Sequence, residues 1–246
     1  MPAAKVTFSN RTYTFGRRWD AVRVTLSEAP ASETFGLKTW IASEVLAQHL
    51  HVHWRTRYRQ STSVTTRVLE LGAGTGLPGL LLAQLGSEVV LTDAAEEPEV
   101  LGNLRGLIEP KNNSTPTKNT FVPRVEALTW GRLDEHALNL ANERFHLILG
   151  ADVLYAKAKD FDKLFATVRL LLLKGEEYCC EKDCKSKNET EKQKPVFLTA
   201  YKHRASHRSI ESVLVSHKLQ VRKGWRYPAK KGVTVDVVEI VLSRPC

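Results

Sequence analysis

The segment Leu69-Glu70-Leu71-Gly72-Ala73-Gly74-Thr75-Gly76-Leu77-Pro78-Gly79 concentrates residue types suited to holding a nucleoside-like ligand. Glycines let a backbone turn tightly and approach a ligand closely, and the amides at the start of a following helix are free to bind. Pro78 falls in the first helical turn, where its missing N–H costs little. Asp93 ends the next expected strand, and a carboxylate there can accept hydrogen bonds from both ribose hydroxyls. No Gly-Lys-Ser or Gly-Lys-Thr follows the loop, which excludes a P-loop, and Leu77 stands where a dinucleotide fingerprint needs its third glycine. The competing interpretation is a glycine-rich turn with a helix-capping Asp. Loop and acid occurring together in strand context favour the ligand site.

A second pair, Asp152 and Tyr155, lies just past a strand expected at 145–149. Residues three apart share a face if the turn is helical. The position is the carboxyl edge of a sheet, where open α/β folds bind ligands. Spacing alone leaves equally open that Asp152 caps a helix and Tyr155 packs. Other chemistries fare worse. Gly-x-Ser-x-Gly is absent, and His49, His51 and His53, set among arginines, read as basic surface rather than a metal site. Cys179, Cys180 and Cys184 lack a second paired ligand set for zinc.

The elements that must position these residues follow a strand, glycine turn, helix rhythm. Strands are expected at 68–71, 89–92, 121–127, 145–149 and 196–201, and helices at 77–85, 97–108, 161–173 and 209–215. Alternating strands and helices predict an α/β, Rossmann-like, mostly parallel sheet with helices on both faces. Two closing strands, near 219–225 and 233–242, flank a turn-rich stretch and are expected to be antiparallel. Upstream, Lys5-Val6-Thr7-Phe8 and Thr12-Tyr13-Thr14-Phe15 suggest a hairpin turning at Ser9-Asn10-Arg11, Val22 to Leu26 alternates as a strand does, and residues 37–50 carry helical spacing. Residues 174–194, with six Lys, six acids and the clustered Cys, read as an exposed, mobile insertion.

The 246 residues, 42% hydrophobic and 26% charged, suffice for one α/β domain and exclude a disordered chain. No apolar run is long enough to span a membrane. A polar start and four cysteines lead to the expectation of a reduced intracellular protein, cytoplasmic with a nuclear pool allowed. The net charge of +9 is uneven: residues 201–231 hold nine Lys or Arg against Glu211 alone, and Arg55, Arg57, Arg59 and Arg67 form a second patch. These are either solvated surface or a face that steers an acidic or ribonucleoprotein partner. Direct nucleic-acid recognition ranks lower, because no aromatic residues interleave and no nucleic-acid module is visible.

Taken together, the motifs resemble methyltransferase family 16, the lysine-methyltransferase-like group of the seven-β-strand, S-adenosylmethionine-dependent enzymes. Glu70 to Gly79 resembles its motif I and Leu91-Thr92-Asp93 its second-strand acid. Gly36-Leu37-Lys38-Thr39-Trp40 resembles its Trp-bearing segment, Leu128-Thr129-Trp130-Gly131 its Trp-Gly element, and Leu149 to Tyr155 its Asp-x-x-Tyr motif. Ala200-Tyr201-Lys202-His203-Arg204 resembles its strand-five ending, so the likeness covers about residues 33–243. The resemblance implies a β extension at 1–32 and a methyltransferase domain at 33–246. It implies that Glu70, Gly72 and Gly74 hold the methionine part of the cofactor S-adenosylmethionine, Asp93 the ribose, and Thr129 and Trp130 the adenine, with Trp40 and Ala151 shaping the pocket. It makes Asp152 and Tyr155 the catalytic pair, binding and orienting an acceptor amine, with no metal.

The expectation is therefore methyl transfer to a lysine of a protein substrate by a monomeric enzyme. A lysine amine is mostly protonated at neutral pH, its ordinary pKa being about 10.4, so the site must favour the neutral form by desolvation and nearby positive charge. Arginine or a small molecule as acceptor, and a non-catalytic scaffold, are the alternatives.

Overall fold

The computed structural model describes residues 7–30, 35–60, 64–109, 121–154, 158–182, 194–202 and 210–243. At its centre is β3 (Arg67–Glu70), whose Val68 and Leu69 have no exposed surface. Such apolar runs without alternation belong to strands covered on both faces. β4 (Glu88–Asp93) and β6 (Leu147–Ala151) flank β3 in parallel register, β5 (Arg124–Ala127) extends one side, and β7 (Val196–Lys202) the other. β9 (Thr234–Leu242) returns antiparallel between β7 and the edge strand β8 (Leu219–Pro228). The sheet order is β5-β4-β3-β6-β7-β9-β8.

Helices cover both faces. α1 (Ile41–His53), α2 (Leu77–Gln84) and α3 (Pro98–Ile108) pack one face through Leu46, Leu81 and Leu104. α4 (Glu135–Ala141), α5 (Ala158–Lys182) and α6 (Glu211–Ser216) pack the other through Leu140, Phe165 and Leu214. Each such buried side chain contributes about 1.5–3 kcal/mol of transfer free energy. A separate two-stranded sheet, β1 (Ser9–Phe15) with β2 (Val22–Glu28), lies against the first face through Phe15, Val24 and Leu26. Among the described residues no helix is long and apolar enough to cross a membrane.

Several elements differ from the sequence expectation. The hairpin does not turn at Ser9-Asn10-Arg11; those residues are in β1, whose partner is β2, because Tyr13 and Phe15 must face the core in register with Val24 and Val22. Tyr13 also donates its hydroxyl to Glu28 at 2.8 Å. α1 starts at Ile41, not at 37, and a π-helical turn, Trp54–Tyr58, extends it. α4 was not expected; Asp134 caps it by accepting from Ala137 N–H at 3.0 Å. α5 runs through 174–182, into the expected mobile insertion. Lys, Glu and Leu are all good helix formers, Lys174 pairs with Glu177 three residues on, and Gly175 lets the helix pass against Pro195. Residues 183–193 of that stretch lie outside the described residues.

Candidate active site

The glycine loop is built from strands outward. Leu71 N–H donates to Leu149 carbonyl at 2.8 Å and Ala73 N–H to Thr92 carbonyl at 2.9 Å, so the loop leaving β3 is stitched to both neighbouring strands. Gly72 and Gly74 then take φ of 57° and 55°, the left-handed region that side chains rarely adopt. Space demands glycine as well. A Cβ at 72 would stand 2.9 Å from the Trp130 ring, and one at 74 would stand 3.0 Å from the Gly36 carbonyl oxygen.

Around this loop lies a cavity of about 840 Å³. Trp40, Gly72, Gly74, Asp93, Thr129, Trp130, Ala151 and Asp152, eight of the ten residues expected from sequence, line it. Glu70 does not. It is buried under the loop, where its carboxylate accepts from Gly79 N–H at 2.9 Å in the first turn of α2. Burial, opposed by that hydrogen bond, pushes its pKa up to about 8. The expectation that Glu70 touches the ligand is thus corrected: it fixes the loop from behind, and Gly79 is needed because a Cβ there would meet the carboxylate at 2.6 Å. Tyr155 lies outside the described residues.

Asp93 closes β4 with its carboxylate accepting from Gly74 N–H and Ala94 N–H, both at 2.8 Å. Burial raises its pKa despite the two amides, which lower it. Thr129 sits beyond β5, donates to Glu96 at 2.7 Å and accepts from Ala95 N–H, tying the β5 loop to the β4 loop. Trp130 follows and lays its ring against the Gly72 backbone.

Asp152 stands at the end of β6. Its φ of 57° is left-handed, and its N–H donates to Ala200 carbonyl at 2.7 Å. The chain from Asp152 to Leu154 is not helical. The helix-cap alternative for Asp152 is therefore corrected, while its expected pairing with Tyr155 lies outside the described residues. The strained backbone of Asp152 instead directs this residue to the cavity wall, where such outliers accompany function.

The sequence did not single out Lys38 and Lys163, the lysines on the wall, or Glu97 on the rim. Lys38 belongs to a segment pinned on both sides of it: Leu37 is fully buried, and Thr39 hydrogen-bonds Thr75 of the glycine loop at 2.8 Å. Its only forewarning was its place inside Gly36–Trp40. The histidines also differ from expectation. His49 is 2% exposed and bridges the Tyr58 and Tyr227 hydroxyls at 2.8 and 2.7 Å, with its pKa pushed down to about 4 by burial. Among the described residues no cluster of His, Cys, Asp or Glu could hold a metal.

Comparison with known proteins agrees with this geometry. Residues 20–204 match the family described as lysine methyltransferase. Histone-arginine methyltransferase METTL23 of Xenopus laevis is 37% identical over 166 residues, covering 66% of this chain and 64% of that protein. Protein-lysine methyltransferase METTL21E of Bos taurus is 36% identical over 126 residues, covering 51% of this chain and 40% of that one. The chain thus spans less than two thirds of the length of either relative. In fold it is similar to the glycopeptide N-methyltransferase MtfA solved with S-adenosylmethionine, with a TM-score of 0.52, 15% identity and 80% and 87% of the two chains covered. It is similar to the Burkholderia thailandensis 1,6-didemethyltoxoflavin-N1-methyltransferase at 0.51, with 16% identity and 82% and 79% covered. The family match spans most of the sequence, and the fold and the glycine-loop cavity accord with it: the chain belongs to the lysine methyltransferase family, methyltransferase family 16 of the seven-β-strand, S-adenosylmethionine-dependent enzymes.

Proposed function

We propose that the protein transfers a methyl group from S-adenosylmethionine to the side-chain amine of a lysine in a protein substrate. The observation that carries this is one cavity with the glycine loop at its centre, Asp93 on the β4 side and Asp152 on the β6 side. The residues fit the cofactor by a direct criterion: Gly72 and Gly74, both at positive φ, bring bare backbone to the cavity wall beside Asp93. When bound, S-adenosylmethionine supplies a methyl already activated on a sulfonium, so the protein's work is placement and proton handling. Asp93 would receive the ribose hydroxyls, Trp130 the adenine, and Lys38 the amino-acid carboxylate. Asp152 would hold the acceptor amine at the end of β6, and the semi-enclosed wall of Trp40, Trp130 and Ala151 would disfavour the ammonium form by limiting solvation.

Lysine is favoured over arginine by the acids present. A guanidinium is best held by paired carboxylates, and Asp152 is the carboxylate at the β6 end of the wall, while Asp93 is engaged by two backbone amides. Arginine is the second reading, supported by the names of the METTL23 relatives from Xenopus laevis and Mus musculus. The test supplies labelled S-adenosylmethionine with wild-type or Asp152→Ala protein to a methylation-depleted lysate, followed by hydrolysis of the protein fraction. Label in methyl-lysine, lost in the variant, is expected. Label in methyl-arginine would move the acceptor, and an unlabelled protein fraction would sink the reading.

A further inference from the structure

At the sheet edge farthest from β5, the sequence concentrates cations that the cavity does not use. β8 pairs with β9 on both sides of a bulge between Val221 and Lys223, which leaves Arg222 as the extra residue. A bulge re-aims a side chain, and here Arg222 Nε reaches Glu239 on β9 at 3.0 Å. Arg57, from the π-helical turn, binds the same carboxylate through two hydrogen bonds. The Glu239 side chain is fully buried, whereas the Arg57 and Arg222 side chains remain about one third exposed. Two cations thus share one carboxylate and hold positive charge outward. Lys223, exposed, adds a third and makes no ion pair among the described residues. Trp225 lies at the centre, with the Arg57 guanidinium 5.1 Å and the Lys223 ammonium 5.0 Å from its ring, and His49 edge-on behind it. The acids that neutralise strand cations here, Glu239 and Asp236, are buried in β9 and not available to solvent.

We propose that the β8 edge, centred on Arg222, Lys223 and Trp225, docks an acidic, extended segment of the protein that carries the acceptor lysine. The proposal rests on the reading that the acceptor belongs to a protein. An edge strand offers unpaired backbone groups that an added peptide strand can satisfy, and Trp225 gives such a strand an amphipathic surface to lie on. β8 is three strands from β6, about 14 Å at ~4.8 Å per strand, which about five extended residues cover. One molecule can therefore occupy the edge and present a lysine at Asp152. A nucleic acid fits less well. The cations surround a buried carboxylate in one compact group, and the rings of His49 and His53 pack against Trp225 rather than lying along a groove as successive stacking platforms.

The test uses the full chain and fluorescence anisotropy with two labelled probes, decaglutamate and decauridine, at low and physiological salt. Wild-type protein is expected to bind decaglutamate, more weakly as salt rises. Arg222→Ala/Lys223→Ala should weaken that binding about tenfold, while Arg23→Ala, on exposed β2, should leave it unchanged. Equal loss in both variants, or none in the double variant, overturns the proposal. Tighter binding of decauridine reassigns the edge to nucleic acid, and absence of peptide binding leaves a basic edge that only keeps chains from pairing. S-adenosylhomocysteine binding, measured by calorimetry on the same samples, separates this outcome from the methyltransferase reading: its loss in wild type would sink that reading whatever the peptide does.

Discussion

Two regions of the sheet satisfy buried carboxylates in different ways. Beside the cavity, Glu70 and Asp93 are held by backbone amides of Gly79, Gly74 and Ala94. At the far edge, Glu239 and Asp236 are held by the guanidiniums of Arg57, Arg222 and Arg226. Amides stabilise an anion without bringing a counter-charge, so Asp93, the one of these two that faces the cavity, remains attractive to a cationic ligand. Guanidiniums cancel the acid and leave a surplus of positive charge outside. The same residue type thus prepares one end of the molecule for cations and the other for anions.

The comparison breaks or sharpens under substitution. The largest effect is expected from Arg57→Ala, which leaves Glu239 buried with Arg222 alone. It should cost about 3 kcal/mol of stability, read as a lowered denaturation midpoint, with S-adenosylhomocysteine affinity unchanged in the folded protein. Asp93→Ala should do the reverse. Two charge-assisted hydrogen bonds to ribose, at about 1.5 kcal/mol or more each, correspond to roughly 100-fold weaker S-adenosylhomocysteine binding by calorimetry, with a smaller loss of stability. If Asp93→Ala lowers the denaturation midpoint as much as Arg57→Ala does and leaves affinity intact, the two regions do not differ in the way described. Lys38→Met should weaken S-adenosylhomocysteine about fivefold but leave 5′-methylthioadenosine, which lacks the carboxylate, unaffected.

A pH-dependent effect concerns His49 and His146, both pushed down to about 4 by burial. The unfolded chain takes up these protons first, near the ordinary value of about 6.5. Stability is therefore fully present above about pH 6.5 and is lost as pH falls towards 4. Melting curves of wild type and His49→Gln should differ most at pH 7 and converge in acid; parallel curves would show that His49 does not titrate with folding.

Legibility from sequence followed the range of the interactions. β3, β4 and the glycine loop were readable because strand, turn and helix signals are adjacent in the chain, and Asp93 is placed by strand end alone. α4 was missed because seven residues give barely two turns of periodicity. The hairpin was misplaced because Ser9, Asn10 and Arg11 have turn-forming character that the cross-strand pairing with β2 overrides. His49 was read as surface because one of the two hydroxyls that hold it, that of Tyr227, lies 178 residues away in the chain. Glu70 was placed against the ligand because its position beside the loop says nothing about which way a buried carboxylate faces.

The hydrogen bond between Thr39 and Thr75 has a consequence for how binding is felt. It joins the Phe35–Trp40 segment to the glycine loop, and that segment is joined in turn to the end of β2 by Ala29 N–H to Leu37 carbonyl at 2.9 Å. Asn103 on α3 reaches Ser27 of β2 at 3.1 Å. Anything that binds the native cavity stabilises it by mass action, and the gain is shared along this path. Amides of the small β1–β2 sheet, which contributes no residue to the cavity wall, should exchange their hydrogens more slowly as S-adenosylhomocysteine is added, making the outlying hairpin a reporter of cofactor concentration.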